Sequence, residues 1–161
     1  MELGIYKNKL YRLADTKDKK LFLMSREEAK EFTEAIRFDG KIIKGLYEKE
    51  VAENDLEDAY ELNGKVIYKG REFDVSSSMA NIIKTNKLII GTLDYPLTEE
   101  LGGFERVDKY YYEKEVSFDE IDKFLEVKKP LFHFKNTKSV TIREIPKDEI
   151  IKHALYIESF A

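Results

Sequence analysis

The chain has 161 residues, 42% of them apolar, with ten Tyr, ten Phe, no Cys and a net charge of −4. That length supports one domain or two small ones, and the lack of Cys excludes disulfides, thiolate metal sites and a Cys nucleophile. No apolar stretch nears the ~20 residues of a membrane-spanning helix, and Met1-Glu2-Leu3-Gly4 shows neither the basic nor the apolar run of a secretory signal, so a cytoplasmic protein with no membrane partner is expected.

From the N-terminus, Ile5 to Leu13 alternates apolar and polar residues around Asn8. Asn tolerates φ > 0, so a tight turn between two strands is expected there. Lys20-Leu21-Phe22-Leu23 reads as a further strand. Ser25-Arg26-Glu27-Glu28 has the spacing of a capping box, and Ala29, Phe32, Ala35 and Ile36 follow at helical spacing. This predicts a helix over 25–38. Ile42 to Val51 reads as a strand. Beyond it, Leu56, Ala59 and Tyr60 at helical spacing predict a helix over Glu53–Leu62, with Asp55 placed to complement its positive end.

The same series then begins again. Ile67-Tyr68-Lys69-Gly70-Arg71 parallels Ile5-Tyr6-Lys7-Asn8-Lys9, and Lys87 to Ile90 parallels Lys20 to Leu23. Asp94-Tyr95-Pro96 is suited to open a short helix that Gly102-Gly103 closes. Phe104 to Val116 reads as a strand, and Ser117 with Glu120 as a capping box for a helix reaching Val127. Tyr47-Glu48-Lys49-Glu50-Val51 recurs letter for letter as Tyr112-Glu113-Lys114-Glu115-Val116. Such a period marks a duplicated unit. Residues 1–64 and 65–128 are therefore expected to be two β–β–α–β–α modules, each of marginal size alone. Residues 129–161 form a half-unit: a hairpin of Leu131–Phe134 and Val140–Ile145 around Lys135-Asn136-Thr137-Lys138, then a helix from Pro146.

Charge follows this division, at −3 for 1–64, −4 for 65–127 and +3 for 128–161. Lys128, Lys129, Lys135, Lys138 and Arg143 occupy a stretch with no acid. It is read as docking on the chain's own acidic helices or, alternatively, as a nucleic-acid contact with Phe132 and Phe134. The carboxylates Glu53, Glu57, Asp58, Glu61, Asp122 and Glu126 read as solvated helix faces suited to a partner. Asn54 to Glu61 lacks the glycine and the ligand rhythm of a calcium loop. His133 and His153 have no recognisable catalytic partners. Ser76-Ser77-Ser78 lies in a connection and not in a nucleophile elbow. In Tyr110-Tyr111-Tyr112, alternation turns Tyr111 away from its neighbours, either as ordinary strand packing or as an aromatic anchor for a partner.

The I-Y-K-(N/G)-(K/R) strand, the short L-x-(L/I) strand and the E-K-E-V-x-x-(D/N)-(E/D)-(I/L) run together resemble small acidic proteins found with polymorphic toxins of Gram-positive bacteria. The resemblance covers about residues 4–127 and is most specific at Tyr47–Val51 and Tyr112–Val116. It implies tandem SH3-like β-barrel repeats, an immunity role and no fixed catalytic residues. The expected fold class is α+β and β-rich: two tandem SH3-like small-barrel modules each ending in a helix, plus a C-terminal β-hairpin and helix. The expected function is non-enzymatic. An immunity or inhibitor protein would block a toxin or nuclease with a basic cleft through Glu53, Glu57, Asp58, Glu61, Tyr111, Asp122 and Glu126, without metal or cofactor. The alternative is a nucleic-acid-associated module using the basic 128–143 segment.

Overall fold

A computed structural model describes residues 1–16 and 18–161. The chain divides into two compact units. The first comprises Met1–Leu62, Lys128–Thr141 and Phe160–Ala161, and the second Asn63–Val127 and Ile142–Ser159.

In the first unit β1 (Glu2–Tyr6), β2 (Lys9–Asp15), β3 (Leu21–Ser25), β4 (Thr33–Ile36) and β5 (Ile42–Val51) precede β6 (Asp58–Tyr68), which begins here and ends in the second unit. The antiparallel order is β4-β5-β3-β2-β1-β6. The second unit continues with β7 (Arg71–Val75), α1 (Met79–Thr85), β8 (Lys87–Thr92), α2 (Tyr95–Leu101), β9 (Glu105–Arg106), β10 (Tyr112–Ser117) and β11 (Lys123–Pro130). After these come β12 (Thr141–Ile145) and α3 (Ile150–Glu158). Its order is β6-β7-β8-β10-β9, with β11 paired to β6 and β12. The protein is β-rich with antiparallel pairing and a C-terminal helix. The strand paths stay open: among the described residues β4 pairs only with β5, and β9 only with β10.

The duplication is visible in register. Leu21 lies opposite Val51 as Leu88 lies opposite Val116. Thr33 lies opposite Glu48 as Glu105 lies opposite Glu113. Each copy opens with a two-residue hairpin turn whose central residues both have positive φ: Lys7 (47°) and Asn8 (64°), then Lys69 (49°) and Gly70 (73°). Turns of this type follow the right-handed twist of the strands they join, which accounts for Asn and Gly at the second position.

The helices expected at the ends of the two modules are absent. Glu53–Leu62 forms one 3-10 turn (Glu53–Asp55) followed by β6, and Ser117–Val127 forms a turn followed by β11. The carboxylates that looked like helix caps do fold back, but only once. Asp55 Oδ2 accepts Ala52 N–H at 2.8 Å and Glu120 Oε2 accepts Ser117 N–H at 2.6 Å. The chain then pairs instead of coiling, with Glu57 N–H donating to Ile5 O at 2.8 Å and Asp122 N–H to Ile67 O at 2.7 Å. An available strand edge outweighs a weak helical propensity. The helix expected over 25–38 is absent for a related reason. Ser25 Oγ accepts Glu27 N–H and donates to Glu27 O, a closed local turn, and the chain goes on into β4. Leu131–Phe134 is not a hairpin strand either. Phe132–Asn136 is a 3-10 turn, and β12 pairs with β11.

Other expected elements are present. Asp94 Oδ1 caps α2 by accepting Leu97 N–H at 3.0 Å, and Gly102 ends it. The C-terminal helix follows Pro146 through a 3-10 turn at Lys147–Glu149. In the connection holding the three serines, Ser78 caps α1 by accepting Asn81 N–H, and left-handed Asn86 closes it.

Each unit has its own core. The first gathers Tyr11, Leu13, Leu21, Leu23, Val51, Leu56 and Ala59, completed by Phe134 from the 3-10 turn. The second gathers Val66, Phe73, Leu88, Ile90, Val116, Ile121 and Phe124, with Ile82 of α1 and Ile150 and Ala154 of α3. Ala59 and Phe124 are equivalent positions, three residues after Leu56 and Ile121. Where the first copy has a small residue, a phenylalanine from later in the chain joins the core.

Candidate interaction surface

Most of the acidic residues read as a partner face have structural work. Glu57 Oε1 accepts Asn8 N–H at 3.0 Å, and Asp122 Oδ2 accepts Gly70 N–H at 2.9 Å. In both copies a carboxylate thus satisfies a backbone donor left over by the tight turn. Asp58 pairs with Lys138 at 2.7 Å and is only 13% exposed. Glu126, equally sheltered, pairs with Arg143 at 3.3 Å and lies 3.5 Å from His153 Nδ1. Glu61 is half-buried, opposite Glu2 across the β1–β6 ladder. Glu53 is exposed on its 3-10 turn. The seven residues divide between the units: Glu53, Glu57, Asp58 and Glu61 belong to the first, Tyr111, Asp122 and Glu126 to the second. Lys138 and Arg143 pair with acids of this chain, but these stand on the strands β6 and β11 and not on the acidic helices that the reading of a docked basic hairpin expected.

Tyr111 lies across β8. Its hydroxyl is 2.9 Å from Ser76 Oγ, and a Cβ at Gly91 would collide with both groups. Tyr110 is the outward tyrosine, 66% exposed, with Lys109 Nζ 5.2 Å from its ring centroid. His153 packs edge-on against Phe124, with ring centroids 5.9 Å apart. Burial holds its pKa below the ordinary histidine value; Glu126 opposes that shift and Arg143 adds to it. Among the described residues, no three His, Cys, Asp or Glu side chains gather to hold a metal ion. No helix there is long and apolar enough to cross a membrane.

The surface that sequence reasoning missed is the β4–β5 hairpin of the first unit. Phe38 is 99% exposed at its tip, flanked by Ile36 at 58% and Ile42 at 57%. Hydrogen bonds close the tip: Arg37 N–H donates to Lys41 O at 2.8 Å, Gly40 N–H to Arg37 O at 2.9 Å, and Lys41 N–H to Asp39 Oδ1 at 3.1 Å. Gly40 has φ of 81°, the left-handed residue such a loop needs. The Phe-Asp-Gly turn between Ile36 and Ile42 was the available signal, masked by the apparent capping box upstream. Charge around the hairpin is mixed: Glu27, Glu28, Glu31 and Glu34 alternate with Arg26, Lys30, Arg37 and Lys41, and Glu31 pairs with Lys7 at 2.6 Å.

Residues 2–134 match the family model described as Uncharacterised conserved protein UCP033725. The chain belongs to that family. The UCP033725 match takes in the β4–β5 hairpin and ends on Phe134, the residue that completes the first core. No curated protein and no solved structure matches the chain.

Proposed function

We propose that this protein is a non-enzymatic, cytoplasmic binding protein of immunity or inhibitor type that grips a protein partner through its β4–β5 hairpin. The observation that carries the reading is the fully exposed ring of Phe38, held out on a hydrogen-bonded turn between two exposed isoleucines. A phenylalanine that contributes nothing to its own core is well placed to fill a pocket on a partner, where aromatic anchors dominate binding energy. Among the described residues β4 pairs only with β5, so an extended segment of the partner can add to its other side through main-chain hydrogen bonds. The expected acidic helices are replaced in this role by the apolar tip of the hairpin. Each unit is further read as an open relative of the SH3-like small barrel, supported by the repeated five-strand order around a private core; superposing an experimental structure of each unit on known small barrels tests it.

The functional test is co-expression with the product of the neighbouring reading frame, followed by binding kinetics of wild type, Phe38→Ala and Ile36→Lys. Loss of binding with an unchanged thermal midpoint supports the reading. A partner that binds Phe38→Ala as tightly as wild type, or recovery of nucleic acid alone, refutes it.

A further inference from the structure

The cations of the acid-free 128–143 stretch end in different situations. Lys138 and Arg143 hold carboxylates of this chain. Lys128 does not: its ammonium sits 4.0 Å from the centroid of the Tyr60 ring, and among the described residues no carboxylate lies within 4 Å of it. Lys128, Lys138 and Tyr60 line one cavity of about 290 Å³ in the first unit, together with Pro130 and the hydroxyl residues Ser139 and Thr141.

We propose that this cavity binds a small organic phosphomonoester, with the phosphate between Lys128 and Lys138 and the organic body against Tyr60 and Pro130. Two ammonium groups face one carboxylate, Asp58, so the cavity is positive on a chain whose net charge is −4. An ammonium resting on an aromatic face keeps its charge and loses only a modest attraction when it turns to an anion. Two hydroxyl groups add neutral donors for phosphate oxygens, which accept several charge-assisted hydrogen bonds at once. The tyrosine and proline walls call for an apolar body as well as a charge, and the volume lies near the lower end for small-molecule sites.

The duplication supplies an independent argument. At the positions equivalent to Asp58 and Tyr60 the second copy has Lys123 and Leu125, while the neighbouring positions 57/122 and 59/124 keep their structural roles. The strand pairing common to both copies therefore requires neither Asp58 nor Tyr60. The cavity is particular to the first unit.

Titration calorimetry of the full chain with phenyl phosphate, inorganic phosphate, phenol and a 5′-phosphorylated dinucleotide tests the site. Phenyl phosphate is expected to bind at least about tenfold tighter than inorganic phosphate, with phenol silent. Lys128→Gln should weaken phenyl phosphate about tenfold or more at an unchanged thermal midpoint, since no carboxylate is left unpaired. Tyr60→Leu, which installs the residue of the second copy, should erase the preference for phenyl phosphate over inorganic phosphate. Lys138→Gln strands Asp58 and is read only if the chain stays folded. The dinucleotide identifies the source: affinity equal to phenyl phosphate points to nucleic-acid ends, much weaker affinity to free metabolites, and both support the site. Absence of phenyl phosphate binding at millimolar concentration, or binding indifferent to Lys128→Gln, overturns the proposal.

Discussion

Glu57 and Asp122 perform one task in two places, accepting the N–H of a hairpin residue whose positive φ leaves that donor without a ladder partner. Replacing either with Ala should lower stability by about 0.5–1.5 kcal/mol, the usual net worth of one hydrogen bond, read as a shifted denaturant midpoint. A partner surface made of these carboxylates would instead leave the midpoint unchanged. His153 makes a second residue-scale prediction. Its folded pKa lies below the unfolded value near 6.5, so the unfolded chain takes up the proton first as pH falls. The stability contributed by the neutral ring is fully present above that value, declines as pH drops toward the lowered folded pKa, and levels off beneath it. Thermal midpoints between pH 7.5 and 5 should fall for wild type and flatten for His153→Gln. Glu31 and Glu120, whose pKa values are lowered by Lys7 and by Ser117 respectively, lose their contributions only at more acidic pH.

At the scale of elements, the hairpins could be read from the sequence because their cues are local: alternation, and Asn8 or Gly70 at a position needing φ > 0. The repeat was legible from Tyr47–Val51 and Tyr112–Val116, and both runs form the strand beside the β3-type strand in the same register. What misled was the segment after each run. Leu56-x-x-Ala59-Tyr60 has helical spacing, yet β6 buries Ala59 and Tyr60 as adjacent residues. Only a distant strand edge decides between the two periods: β1 in the first copy, where Glu57 N–H reaches Ile5 O, and β6 in the second, where Asp122 N–H reaches Ile67 O. The candidate site was harder to see. Phe38 fell at the end of the helix expected over 25–38, whereas it stands in the turn between β4 and β5. Truncating Phe134 or Phe124 to Ala should each cost about 3–5 kcal/mol by denaturant unfolding, as buried aromatic rings do. Ala59→Phe added to Phe134→Ala should recover part of the loss if the two rings serve equivalent cores. Phe38→Ala should leave stability within about 0.5 kcal/mol, the range of surface changes.

For the molecule as a whole, neither core is drawn from one continuous stretch. Phe134 belongs to the first, and Ile145, Ile150 and Ala154 belong to the second. A chain cut after Val127 should therefore fail to form either core, although it contains both copies of the strand pattern. Circular dichroism and hydrogen exchange of that fragment check this; native-like protection in β1–β5 would show that Phe134 is dispensable.

The late arrival of those residues bears on how the protein is made. Chains leave the ribosome N-terminus first at about 5–20 residues per second. The first five strands must wait for Phe134, more than eighty residues after Val51, and the second set for α3. For several seconds the nascent chain carries paired strands over unfinished interiors, with the bare edge of β4 and the Phe38 ring already outside. Each core closes only once its last contributor has been made, and a chaperone that shields strand edges has most to do in that interval.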